Sequence, residues 1–89
     1  MPITDQLNIV CGADIHQRFL IATILCRDGR MWTNRFLMNI NGLLTFKDWL
    51  MSYGCQKVAV ESTGRFWVLI HMFLEGTVDV IVANAYKIK

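Results

Sequence analysis

The chain has 89 residues, 54% of them hydrophobic and 18% charged, with a formal net charge of +2. That length allows one domain at most, spanning 1–89, and so mild and scattered a positive charge does not by itself argue for nucleic acid. The longest apolar stretch, Phe66 to Leu74, is interrupted by His71 and falls far short of the roughly 20 residues that cross a bilayer, so no membrane span is expected.

Residues 1–6 read as a loose leader. With Asp5 and no basic n-region, no signal peptide is expected. Residues 7–14 read as a buried strand: a short, partly β-branched apolar run ending at Asp14. Phe19 to Cys26 is a second strand and Met31 to Met38 a third, with Asp28-Gly29 between them. Asp-Gly favours a type I′ hairpin turn, in which both central residues have positive φ. Asn39 or Asn41 can then cap a helix. Its apolar stripe is Leu43, Phe46, Leu50 and Tyr53, and Gly54 is placed to stop it in the left-handed conformation. Lys57 to Val60 is a short fourth strand. Ser62 or Thr63 can cap a second helix, from about Arg65 to Glu75, which Gly76 ends. That helix is apolar almost all round, so burial on most faces is expected, with His71 in the core. Val78 to Val82 is a fifth strand.

The order β-β-β-α-β-α-β describes an antiparallel meander, followed by strands added in parallel through right-handed crossovers. The fold class is therefore α/β, a mixed sheet with helices packed on it. Cys11, Cys26 and Cys55 form no close pair and sit in or beside apolar runs. Buried free thiols are expected, which suits a reducing cytosol.

Two acids stand out. Asp14 closes the first strand and leads into Ile15-His16. Glu61 closes the fourth and opens Ser62-Thr63-Gly64. A carboxylate at the end of a buried strand carries a desolvation cost unless something cationic meets it. If the two strands are neighbours, both carboxylates point into one crevice and can hold Mg²⁺, which takes oxygen ligands. From spacing alone, a strand-end Asx turn is the better reading of Asp14, and a helix-dipole position for Glu61 is as open as a metal-binding one.

Three segments in order resemble one known family: Gly12-Ala13-Asp14-Ile15-His16, Val60-Glu61-Ser62-Thr63-Gly64-Arg65-Phe66-Trp67, and Val80-Ile81-Val82-Ala83-Asn84-Ala85-Tyr86-Lys87-Ile88-Lys89. Over nearly the whole chain, this is similar to the N-terminal part of the DEDD transposases of bacterial insertion sequences (the one-ten group, related to site-specific DNA invertases). The resemblance implies a RuvC-like catalytic domain of ribonuclease-H-like fold, incomplete at the C-terminus. It implies that Asp14 and Glu61 are catalytic metal ligands and that the family's remaining two aspartates lie past residue 89. It further implies two Mg²⁺ ions in the full-length enzyme, DNA as substrate, a structured guide RNA, a homo-oligomer and a bacterial cytoplasmic setting. Where the family often has Lys after its Asp-x-His, Gln17 stands here.

His16, Arg65 and Lys87 are the candidates for contacting nucleic acid. His16 also reads as a structural residue, and Arg65 and Lys87 as solvated surface. Ser62 and Thr63 read as helix caps rather than nucleophiles, with no His–acid partner to activate them. Trp32, Trp49 and Trp67 could stack on bases, with packing the better reading for the last two. The fragment alone is expected to be inactive. One alternative is a non-catalytic interaction module. Another is a ribonuclease-H-like ATPase or kinase fragment, which would want a Gly-rich phosphate turn that Asp14-Ile15-His16-Gln17 lacks. The hydrophobic excess over the usual roughly 45–50% points to apolar surface covered by other segments or by a second copy. Phe66, Trp67, Ile70 and Phe73 are the expected contributors to that interface.

Overall fold

The computed structural model describes residues 9–61 and 66–83. The elements run in the expected order: β1 (Ile9–Ile15), β2 (Phe19–Cys26), β3 (Met31–Leu37), α1 (Ile40–Ser52), β4 (Lys57–Glu61), α2 (Trp67–Leu74) and β5 (Asp79–Ala83). They form one sheet in the order β3-β2-β1-β4-β5. The first three strands pair antiparallel, while β4 runs parallel to β1 and β5 parallel to β4. Since β3 points the same way as β4, α1 and α2 are both crossovers, and both step in the same direction across the sheet. Crossovers of one hand stepping one way put their helices on one face. The core shows this: Leu43, Phe46 and Leu50 of α1 and Ile70 and Leu74 of α2 meet Ala13, Leu20, Ala22, Ile24, Val58 and Val60.

The other face carries no helix among the described residues, and the strands alternate accordingly. In β1, Cys11, Ala13 and Ile15 are buried, while Gly12 and Asp14 are exposed. β1 is thus half-buried, not the fully buried strand that its apolar run suggests. The period-2 alternation is hidden in sequence because Val10 and Gly12, on the open side, are not polar.

The β2–β3 connection differs from the expected two-residue turn. The Gly29 amide donates to the Cys26 carbonyl at 2.9 Å, and the Cys26 amide donates to the Arg30 carbonyl at 2.9 Å. Gly29 has φ +96°, and no described non-glycine residue has positive φ. This is the three-residue hairpin, a type I turn closed by a left-handed residue. Asp28 keeps an ordinary φ, and its carboxylate accepts from the Arg30 backbone and guanidinium. Those hydrogen bonds hold the Asp28 carboxyl below its usual range, the backbone one foremost.

Asn39 is the cap of α1, its side-chain oxygen accepting from the Gly42 amide at 2.7 Å. Gly54 ends the helix at φ +69°, its amide donating to the Met51 carbonyl. Gly42 answers to a close approach instead. A Cβ there would overlap the Leu37 carbonyl, so the first turn of α1 lies directly against the end of β3. Aromatic packing continues that contact, with Phe36 5.1 Å from Phe46 and 5.2 Å from Trp49, and Trp32 4.7 Å from Tyr53 between ring centroids.

α2 is less enclosed than expected. Ile70 and Leu74 are buried, but Val68, Leu69 and Met72 are exposed, because the sheet covers only one side. Ile70, expected at an interface, is core. His71, expected in the core, is half-buried beside Trp67. All three cysteines are free and buried. Among the described residues, no helix is long and apolar enough to cross a membrane.

Candidate functional site

Asp14 and Glu61 are direct cross-strand partners in the parallel β1–β4 pair. Adjacent strands lie about 4.8 Å apart, so the two carboxylates start side by side. Both stand at the C-terminal ends of their strands on the open face. The same line runs on through Asp14↔Ile21 and Ile21↔Arg35, and on the other side through Glu61↔Ala83. A shallow cleft of about 470 Å³ lies over it, lined by Gly12, Ala13, Asp14, Ile21, Thr23, Ala59, Val60 and Glu61. Gly12 has open space where a Cβ would stand and no positive φ. Nothing inside the fold requires glycine there.

The expected desolvation cost is absent. Asp14's side chain is 61% exposed, so its charge stays in water and needs no buried cation to offset it. Its partner is His16, whose Nε2 lies 3.2 Å from Oδ2. The imidazole is held in turn by stacking on Phe19, with centroids 4.7 Å apart. Glu61 is exposed and, among the described residues, makes no ion pair. Among the described residues, no group of three His, Cys, Asp or Glu side chains is arranged to hold a metal ion. The arrangement therefore offers two adjacent, solvated carboxylates on a bare surface, the hard oxygen donors suited to a partly hydrated Mg²⁺.

The structure brings Asp14, Glu61 and His16 to one corner. Arg65, Lys87, Ser62 and Thr63 lie outside the described residues. Trp32, Trp49 and Trp67 pack against the core, on the helix side, so none can stack on a base lying over the acids. The thiols are also remote in character: burial pushes Cys11 up to about 12 and Cys55 upward, so neither is a thiolate at neutral pH. Arg35, which shares the line of the acids, carries no motif that marks it in sequence. Counting forward from the hairpin, with the correct loop length, is the one signal that places it there.

No family model and no curated protein matches the chain, but solved structures do. Archaeoglobus fulgidus Pelota aligns with a TM-score of 0.65 at 15% identity, over 91% of this chain and 28% of that one. The fowlpox virus Holliday junction resolvase aligns at 0.60 and 18% identity, over 85% and 60%. The same resolvase in complex with Holliday junction DNA aligns at 0.57 and 19% identity, over the same shares. The chain thus spans between about a quarter and three-fifths of the length of these neighbours. At such identities the likeness defines the fold, which is the ribonuclease-H-like α/β class.

Proposed function

We propose that this chain carries two acids of a Mg²⁺-dependent centre that cuts and joins DNA phosphodiesters in transposition or site-specific recombination. The observation that carries the reading is the pairing of Asp14 with Glu61 at the ends of adjacent parallel strands, on the sheet face that no described helix covers. The DNA-bound resolvase among the structural neighbours supports DNA as the partner. The resemblance in sequence supports the transposase assignment, and with it a structured guide RNA and a homo-oligomer in the enzymes it resembles.

The residues fit the ion by their chemistry: two exposed carboxylates, neither neutralised by a Lys or Arg among the described residues. Magnesium ions, when bound, neutralise and align the attacking and leaving oxygens of a displacement at phosphorus. Asp14, on the central strand, would hold the ion from one side and Glu61 from the other. His16 Nε2 lies 3.2 Å from Asp14 Oδ2 and would restrain the carboxylate, leaving its other oxygen for an ion. Gly12 and Ala59 beside the acids keep the surface low, so a sugar–phosphate backbone can approach closely. Most of the rate would come from positioning and charge neutralisation.

Two carboxylates give few ligands to a cation that dehydrates reluctantly, so phosphate oxygens should complete the shell. Manganese binding, read as loss of the free-ion electron paramagnetic signal, tests this. Binding should be weak with the chain alone, tighten when an oligonucleotide is added, and disappear in Asp14→Asn. Binding that ignores both DNA and Asp14→Asn would refute the proposal. It would favour the second reading, a non-catalytic interaction module, which the exposed Leu25, Met31 and Ile81 on the same face otherwise support.

A further inference from the structure

We propose that Arg35 is a phosphate-positioning residue, gripping the DNA backbone beside the phosphate held at Asp14 and Glu61. The inference rests on the reading above and adds a contact that the acids do not supply.

Strand register puts the residue in place. Glu61, Asp14, Ile21 and Arg35 form one continuous cross-strand line, and all four are on the open face. Asp14 and Arg35 are two strands apart, about 10 Å along the sheet, and form no ion pair, a spacing suited to neighbouring phosphates of one nucleic-acid strand crossing the sheet. Ile21, between them and exposed, offers an apolar contact rather than a competing charge.

The guanidinium is also prepared for such a ligand. Its carbon lies 4.3 Å from the Phe19 ring centroid, and Phe19 is itself stacked against His16. Stacking on an aromatic face restrains the planar group and leaves its edge donors turned outward, the geometry that binds phosphate in two-pronged fashion. The other cation carried on a strand is neutralised locally, Lys57 pairing with Asp79 at 3.2 Å, and Arg30 at the hairpin pairs with Asp28 at 2.7 Å; Arg18 and Arg27 stand in the loops at the strand ends rather than on the sheet face. Among the described residues Arg35 has no carboxylate partner, so its charge is available to an anion. The next line up the face, Ala59, Gly12, Thr23 and Thr33, is neutral, with the two threonine hydroxyls bonded to each other at 3.0 Å. Among the described strands, a polyanion lying on this face therefore meets its unmatched cation in line with the acids.

The test is fluorescence anisotropy of a labelled DNA duplex with the 89-residue chain in Mg²⁺ across a salt series. The chains compared are wild type, Arg35→Gln, Arg35→Lys and, as a helix-side control, Lys47→Gln. Arg35→Gln should weaken binding roughly tenfold and flatten the log–log salt slope by about 0.9, the loss of one phosphate contact. Arg35→Lys should keep the slope while losing part of the affinity, and Lys47→Gln should match wild type. A merely structural role for Arg35 would leave the slope unchanged. Should Arg35→Gln fail to fold, the wild-type Arg35 Nε–H resonance decides: DNA must shift it. If wild type binds DNA and Asp14→Asn alters that binding, yet the Arg35 slope or resonance is unmoved, the Arg35 assignment alone falls. If wild type does not bind DNA, the functional reading falls and takes this one with it.

Discussion

The two faces of one sheet follow opposite rules. On the helix side, Leu20, Ile24, Phe46, Leu50, Val58 and Ile70 are wholly buried. On the open side, Met31 is 60% exposed, Ile81 54% and Leu25 44%, and the charged residues Asp14, Glu61 and Arg35 stand among them. The covered face supplies stability and the open face carries the proposed site. Substitutions should therefore separate cleanly by strand parity.

The largest effects belong to the covered face. Phe46→Ala should cost about 3–5 kcal/mol, a large part of the roughly 5–15 kcal/mol that holds a domain together. Gly42→Ala should cost about 1–3 kcal/mol or more, because its methyl group meets the Leu37 backbone rather than a movable side chain. Ile21→Thr or Leu25→Thr on the open face should stay within about 0.5 kcal/mol. Urea unfolding of these variants checks this. Equal losses on both faces would mean that the open face is covered in solution.

Next come the acids. Asp14→Asn and Glu61→Gln should leave the urea midpoint unchanged or slightly raised, since two like charges stand side by side, while divalent-ion affinity falls at least about tenfold. With so few ligands, the chain by itself should not nick supercoiled plasmid in Mg²⁺. Without ligands for a second ion, neutralisation at one of the attacking and leaving oxygens would be lost, at several kcal/mol of transition-state stabilisation, where about 1.4 kcal/mol is already tenfold in rate. Reproducible nicking that Asp14→Ala abolishes would show that this pair suffices.

The last effect belongs to the covered face and appears only at high pH. Burial raises the Cys11 thiol from its ordinary value of 9.0 to about 12 in the folded chain. The unfolded chain releases that proton first, so the contribution is intact below about pH 9 and is lost as pH rises from about 9 to 12. The slope is at most about 1.4 kcal/mol per pH unit for one proton. Melting temperature against pH should show the decline, and Cys11→Ala should flatten it, leaving the smaller part due to Cys55.

The element order was legible because each element carries its own punctuation. Asn39 caps α1, Gly54 and Gly76 stop the helices with positive φ, and Gly29 closes the hairpin. The adjacency of Asp14 and Glu61 followed from that order once the strands were placed. Which face lay open was not legible. Val10 and Gly12 in β1, like Ile21, Leu25, Met31 and Ile81 in the other strands, are apolar on the open side, so the alternation that would have shown the sheet half-buried was lost. For the same reason α2 read as enclosed, although Val68, Leu69 and Met72 face outward. The close approach at Gly42 depends on where β3 ends in space, and no local pattern encodes that.

Everything proposed for the open face depends on Asp14 and Glu61 holding a divalent cation together. A Mg²⁺ titration followed by backbone amide resonances tests this without intermediaries. Saturable shifts are expected, confined to the amides of Gly12–Ile15 and Ala59–Glu61, absent in Asp14→Asn and strongly reduced in Glu61→Gln. Shifts that centre instead on Asp28 or Asp79, or that survive Asp14→Asn unchanged, would contradict the assignment.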